Sequence, residues 1–295
     1  MKNINKTTGD RVFDVINAVI MILLAITFIY PFWDTLVISF ADKKTVSSYG
    51  LHLFPQWPPI FESYAEILTR GKMITAFKNS VFRTVTGTII MLYVTFTGAY
   101  VLSKRDMPFN KTITFVILFT MFFSGGLIPY YLLIKNLGLM DSMFVLILPT
   151  ATSAWYLLLT RNFINTLPAS IEESALIDGA GVMTVIFRIL LPMSTPIIAV
   201  LALWSAVGHW NAWFDAFIYI NSNDKVVLQL LLRRILIENS DELLSELPNN
   251  IRPPEFTPDS LKATTIIIAL IPIACVYPFL QKYFVKGIHV GAIKG

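Results

Sequence analysis

Six stretches of this chain, approximately 13–40, 77–103, 112–135, 142–162, 188–221 and 263–285, are predominantly apolar. Each is long enough for the roughly 20 residues of helix that cross a hydrocarbon layer about 30 Å thick. At that depth no water satisfies backbone N–H and C=O groups, so such stretches close their hydrogen bonds internally as helices. They predict an all-α, polytopic membrane protein with six transmembrane helices. Composition agrees: 55% of the 295 residues are hydrophobic and 14% are charged, with a mean hydropathy of +0.64. No fixed-period repeat or low-complexity tract divides the chain, so residues 1–295 read as a single transmembrane domain with its core at about 70–290.

The amino terminus, MKNINKTTGDRVFDVINAVIMILLAITFIYPFW, superficially resembles a signal peptide. Its apolar part runs from about Val12 to Trp33, beyond the roughly 7–15 residues of a cleavable segment, and no small-x-small site closes it. It reads as a retained first span. Six spans place both termini on one side, together with Lys2, Lys6 and Arg11, the tight loop holding Lys104, Arg105 and Lys111, and the terminal Lys282, Lys286 and Lys294. The excess of cations assigns that side to the cytoplasm. The opposite loops, about 41–76 and 222–262, also carry Lys43, Lys44, Arg70, Lys72, Arg233 and Arg234. They are long and hold acids such as Glu62, Glu66, Asp241, Glu242 and Glu246, and long loops weigh less in orientation.

The first outer segment, LHLFPQWPPIFESY, reads as an irregular cap at the membrane interface. The second, the extracytoplasmic loop 222–262, begins with a helical pattern (Val226, Val227, Leu230, Leu231, Ile235) and ends in a proline-containing loop. That arrangement suits either contact with an external protein or a cover over the spans.

Several chemistries lack their residues. A phosphate-cradling loop would end in Gly-Lys-Ser/Thr, whereas Gly71-Lys72 is followed by Met73. His52, His209 and His289 are far apart and form no HExxH pattern, and no GxSxG turn occurs. The lone Cys275 lies in an apolar run, which suits a small buried hydrophobe and no disulfide framework. The basic residues are not gathered into a nucleic-acid patch. The chain is therefore not expected to be an enzyme, to hold a metal or cofactor, or to bind nucleic acid.

Two acids fall in or beside spans, Asp34 and Asp215, and intramembrane acids usually face a cavity or a partner group. Asp34 reads as a span-end acid reaching interface water. In span five, LALWSAVGHWNAWFDAFIYI, helical spacing from Trp204 leads through Gly208 and Asn211 to Asp215, with Trp210, Trp213, Phe214 and Phe217 alongside. Trp204, Trp210, Asn211, Trp213 and Asp215 could line a sugar path, because rings stack on sugar faces while amides and carboxylates bond hydroxyls. The same residues suit helix packing with an interfacial aromatic belt.

Between spans four and five lies a polar segment, about 162–191, on the cytoplasmic side. Thr166 is expected to cap a helix, Pro168 to open it, and Glu172 and Glu173 to lie at its positive amino end. Asp178-Gly179 supplies a turn, and small Ala175, Ala180 and Gly181 would expose backbone to close approach. The pattern Glu173, Ser174, Ala175, Asp178, Gly179, Ala180, then Phe187 and Pro192, resembles the EAA loop of importer permeases. Ser174 departs from the usual second alanine but remains small. Asn79-Ser80 at the start of span two, Trp210-Asn211 in span five and the tail QKYFVKGIHVGAIKG extend the likeness. The chain resembles the transmembrane subunits of ATP-binding-cassette importers of the maltose-permease type. Two further stretches, FSGGLIPYYLLIKNLGLMDS and SLKATTIIIALIPIACVYPFLQKYFVKG, look like the branch for complex oligosaccharides or polysaccharides, including uronate-containing ones.

That resemblance implies a multi-pass permease in the bacterial cell membrane. It implies a heterodimer with a second permease, two cytoplasmic ATPase subunits that hold ATP and Mg, an external solute-binding protein and an oligosaccharide substrate. The loop formed by Glu172, Glu173, Ser174, Ala175, Asp178, Gly179, Ala180, Phe187 and Pro192 would then be the helix–turn–helix that couples to the ATPase. Gly291 and Lys294 in the tail are a second candidate contact, or an ordinary frayed terminus. Two other classes fit the bare residues: a secondary transporter coupling protons through Asp215 or Asp34, and a membrane scaffold that transports nothing.

Overall fold

The computed structural model describes residues 7–47, 51–69, 72–104, 106–237 and 257–292, with the backbone alone for 276–292. Among the described residues every regular element is helical. They fall into two units, residues 1–70 with 235–270 and residues 71–234 with 271–295.

In the first unit, helix α1 (Thr8–Ser39) opens on a reciprocal cap. The Asp10 amide donates to Thr7 Oγ1 at 3.3 Å and the Thr7 amide to Asp10 Oδ2 at 2.8 Å, satisfying two groups that a helix start leaves free. Most large apolar side chains from Val12 to Trp33 stay exposed on the chain, which suits a lipid-facing span. The other end of α1 is fastened. Helix α2 (Lys43–Val46), residues 51–61 without regular helix, among which Leu51, Phe54 and Trp57 are exposed, and α3 (Glu62–Thr69) follow. Ser39 Oγ and the Tyr64 hydroxyl share a 2.8 Å hydrogen bond, and Phe40 stacks on Tyr64 with centroids 5.0 Å apart. The C-terminal helix (Pro258–Ala292) donates from Thr264 Oγ1 to the Ser39 carbonyl at 3.3 Å. Asp34 is held by two side chains, His52 Nδ1 at 3.0 Å and the Tyr30 hydroxyl at 3.3 Å.

The second unit is built on α4 (Lys72–Ser103). Beyond it, α5 (Asn110–Phe122) and α6 (Leu127–Asn136) meet at 116°. Two 3-10 turns (Met143–Leu146, Leu148–Thr150) lead into α7 (Ala154–Ile164) with a 46° bend. Helix α8 (Ala169–Ile177), α9 (Val182–Thr184), a π-helical run (Val185–Leu190) and α10 (Leu191–Met193) precede α11 (Thr195–Asn211), which departs at 84°. Helix α12 (Phe214–Tyr219) and α13 (Leu228–Ile237) follow.

All six apolar stretches contain helix, but among the described residues only Thr8–Ser39, Lys72–Ser103 and Pro258–Cys275 are long and apolar enough singly; the other candidates are bent pairs. The expectation of continuous helices is corrected at Phe123–Gly126, where Phe123 is extended, and at Ser194, between Pro192 and Pro196. Proline lacks the amide that would carry the helix ladder through.

Two cores hold the second unit. One gathers Phe96, Tyr100, Ile164, Val185, Ile186 and Leu190 at the C-terminal end of α4. The other gathers Ile134, Leu146, Tyr219, Val227 and Leu230. Helix α11 approaches α4 at Gly87 so closely that a Cβ there would lie 2.4 Å from His209 Nε2. Asn79 Nδ2 donates to the carbonyls of Asp224 (2.7 Å) and Val226 (2.9 Å), and Ser80 Oγ accepts from the Leu228 amide at 2.8 Å. The Asn79-Ser80 pair therefore satisfies backbone groups of the segment that opens α13.

Candidate functional site

The polar segment between α7 and α11 holds helix α8, a turn at Asp178-Gly179 and the three-residue α9, which runs on into the π-helical stretch. Helix α8 carries Glu172 in its first turn, Asp178 closes it, and Gly179 adopts φ +80, a left-handed conformation that side chains with a Cβ rarely take. The Ala180 amide donates to the Ala175 carbonyl at 2.9 Å, completing the turn. One expectation is corrected. Thr166 does not cap α8: its hydroxyl bonds back to the Phe163 carbonyl at 2.7 Å, and Pro168 occupies the cap position without a side-chain bond. Ala175 and Ala180 are partly buried and pack against the core around Phe96 and Val185, while Gly181 is exposed with open space beside it.

The acids divide by face. Glu172 turns toward α4, accepting from the Tyr100 hydroxyl at 2.8 Å and pairing with Lys104 Nζ, which also lies 4.3 Å from the centre of the Tyr100 ring. Phe187 stacks parallel on Tyr93 at 5.8 Å. Glu173, Ser174 and Asp178 are exposed, and around them lie Ile177 (86% exposed), Leu176, Val182 and Met183 (64%). Sequence reasoning named the acids and missed this apolar tip. Its signal was present: two large apolar residues, Ile177 and Met183, flank a polar turn that has no partner to bury them.

The stripe expected along span five holds only as far as the helix does. Trp204, Gly208 and Asn211 are exposed along α11. Helix α11 then ends, Ala212 is extended (ψ 126), and α12 restarts with a changed phase. The exposed positions continue at Phe214 and Phe217, each about half exposed. Asp215 leaves the stripe and meets α4: Arg83 Nη1 donates to Asp215 Oδ1 at 3.2 Å, and Nη2 bonds Oδ2. Arg83 also reaches the Ala212 carbonyl at 3.0 Å and His209 Nδ1 at 3.4 Å. Arg83 was overlooked in the sequence, although it lies deeper in span two than Lys78, the other cation near its start, and so is the natural partner for an intramembrane acid.

The remaining residues of the stripe separate. Trp210 is buried edge-on against Phe77 at 5.8 Å, and among the described residues its Nε1 has no hydrogen-bond partner. Trp204 tilts against Tyr156 at 6.0 Å. Trp213 lies beneath Arg233, 4.2 Å from ring centre to guanidinium carbon. In the loop after α6, Asp141 accepts from the amides of Asn221 (3.0 Å) and Ser222 (2.9 Å), from the Ser222 hydroxyl and from Lys225 Nζ (3.2 Å). The Ser222 hydroxyl and amide, with the Asn221 amide and Lys225, hold that carboxyl well below the usual carboxylate range. Gly291 falls in the last turn of the C-terminal helix, while Lys294 lies outside the described residues.

Residues 109–290 match the family described as binding-protein-dependent transport system inner membrane component. The polygalacturonan/rhamnogalacturonan transport system permease protein YtcP of Bacillus subtilis (strain 168) is 38% identical over 288 residues, 97% of this chain and 99% of that one. Protein LplC of the same strain is 38% identical over 292 residues, 99% and 98% of the two chains. Among solved structures, a chain of a bacterial ABC transporter involved in the import of the acidic polysaccharide alginate aligns with a TM-score of 0.87 and 29% identity. That alignment covers 95% of this chain and 99% of that one.

Proposed function

This chain belongs to the family of binding-protein-dependent transport system inner membrane components, and from that premise we propose how its geometry serves import. It is an integral membrane permease subunit of an ATP-binding-cassette sugar importer. Its cargo is an oligosaccharide or polysaccharide fragment, a reading supported by the polygalacturonan/rhamnogalacturonan and alginate named for its relatives. It works as a heterodimer with a second permease, with both termini in the cytoplasm. Two ATPase subunits with their ATP and Mg, and an external solute-binding protein, complete the assembly. The chain itself performs no catalysis.

The observation that carries the coupling mechanism is the division of faces in the α8–α9 segment. Its inner face is pinned to α4 by the Glu172–Lys104 ion pair and the Tyr100 hydroxyl. Its outer tip offers Ile177, Met183, Glu173 and Asp178. A tip seated in an ATPase cleft, tied rigidly to the spans behind it, transmits cleft closure as displacement of α4 and the π-helical run leading to α11. The ATPase must bind the tip differently in its open and closed forms, since equal affinity would shift nothing. The exposed positions Trp204, Asn211, Phe214 and Phe217 contribute to the sugar path, and alternating access follows from movement of the spans around it. Proton coupling is disfavoured because Asp215 is committed to Arg83 and Asp34 to His52 and Tyr30.

The test is affinity purification in mild detergent followed by ATPase assay of whatever co-elutes. Recovery of a second permease and an ATPase, with hydrolysis stimulated by a sugar-loaded binding protein, is the expected result. Sugar uptake by this chain alone, abolished by an uncoupler, would instead establish a secondary transporter.

A further inference from the structure

We propose that Arg233 is a receptor for the carboxylate of a uronate sugar in the imported chain. The inference rests on the sugar-import reading above and assigns its charge selectivity to one residue. The guanidinium carbon of Arg233 lies 4.2 Å from the centre of the Trp213 ring and 5.0 Å from that of Phe217. An arginine over a ring is held by its charge against the π face, an attraction that leaves its N–H donors unspent. Among the described residues those donors meet no hydrogen-bond acceptor and no carboxylate. A planar fork whose donors are unspent is complementary to a carboxylate, which it binds through two parallel hydrogen bonds.

The neighbouring charges do not compete. Asp215, two residues from Trp213, has both oxygens on Arg83. Lys225 is taken up by Asp141, and Arg234 Nη1 reaches Asn223 Oδ1 at 3.4 Å. One of the rings under the guanidinium is also open: Phe217 is 52% exposed, and Phe214, which meets Trp213 edge-on at 5.5 Å, is 50% exposed. A pyranose ring resting on an exposed aromatic face, with its carboxylate at the guanidinium edge, uses both halves of a uronate. A neutral sugar engages only the first half.

The experiment compares a labelled oligogalacturonate with the same oligosaccharide carrying methyl-esterified carboxyls, on the complete purified importer. Equilibrium binding is measured without the solute-binding protein, uptake is measured with it, and melting temperature is followed in parallel. Arg233→Gln is expected to weaken binding of the acid roughly tenfold, as loss of a charged hydrogen-bonding pair does, with the ester and the melting temperature unchanged. Arg233→Lys should recover part of the loss, because it keeps the charge and gives up the fork. Equal weakening for acid and ester together with a lower melting temperature would make Arg233 a staple between α13 and α12 and overturn the proposal. An unchanged acid-to-ester ratio would overturn it as well, leaving sugar import standing. A wild-type complex that moves neither sugar, nor hydrolyses ATP in response to either, would remove the import reading and this inference with it.

Discussion

The Arg83 guanidinium, 1% exposed, holds both carboxylate oxygens of Asp215, a residue 132 positions further along the chain. The pair fastens α4 to the break between α11 and α12. That break leaves the Ala212 carbonyl without a helical partner, and the same guanidinium takes it at 3.0 Å. A buried charge of this kind is tolerated only when its counter-charge and remaining donors are satisfied together.

Removing one partner should therefore be worse than removing both. Asp215→Ala strands the Arg83 charge and is expected to cost about 3–5 kcal/mol of stability. The double variant Arg83→Leu with Asp215→Leu is expected to recover much of that loss. Thermal unfolding of the purified complex reads both, and strictly additive single effects would contradict the pairing.

The close seat of His209 against Gly87 makes a second prediction. Gly87→Ala drives a methyl group into the imidazole ring, and overpacking of this sort costs typically about 1–3 kcal/mol. His209→Ala, added to it, removes the obstacle and should restore part of the melting temperature. A neutral Gly87→Ala variant would mean that α11 is not held at this distance.

At the α8–α9 tip, Ile177→Asp and Glu173→Lys are expected to reduce sugar-stimulated ATP hydrolysis roughly tenfold or more, as loss of a central interface contact does. Glu172→Gln should do something different. It loosens the tie to Lys104 and Tyr100, so the ATPase still co-purifies while coupling falls in part. Gly179→Val adds strain at φ +80, on the order of 1–2 kcal/mol. Full coupling in Glu172→Gln would show that the tie to α4 transmits nothing.

Asp141 gives a pH dependence whose sign is set by its depressed pKa. A carboxyl held below its unfolded value contributes stability above the unfolded pKa of about 4 and loses it as pH falls through the folded value. Asp141→Asn keeps a side chain that tolerates the positive φ of 53. It is expected to lower the melting temperature at neutral pH, with the gap to wild type narrowing below about pH 4. A gap that widens in acid would contradict the assignment.

Much of the fold was readable before any coordinates. The helical character of the apolar stretches, the turn at Asp178-Gly179 and most of the helix over 228–237 depend on neighbours close in sequence, although the pattern begun at Val226 becomes helix only from Leu228 and several stretches are broken. The candidate site was readable only in part. Glu172 and Glu173 are adjacent and chemically alike, yet one faces Lys104 and the other solvent. The stripe from Trp204 to Asp215 failed at its last member, because helical spacing carries no information once Ala212 turns extended.

The sequence by itself determined that this is a helical membrane protein, roughly where its spans run and which segment carries the polar turn. Those properties are sums over local residues: transfer of apolar side chains to lipid, backbone satisfaction and the conformational latitude of glycine. Only the tertiary structure decided that Asp215 serves Arg83, that Glu172 is a tie and Glu173 an outward charge, and that Arg233 lies on Trp213. Each of these depends on the rotation and tilt with which broken helices meet. A bend of 84° or a few residues of extended chain resets that phase, and no local sum over residue types contains it.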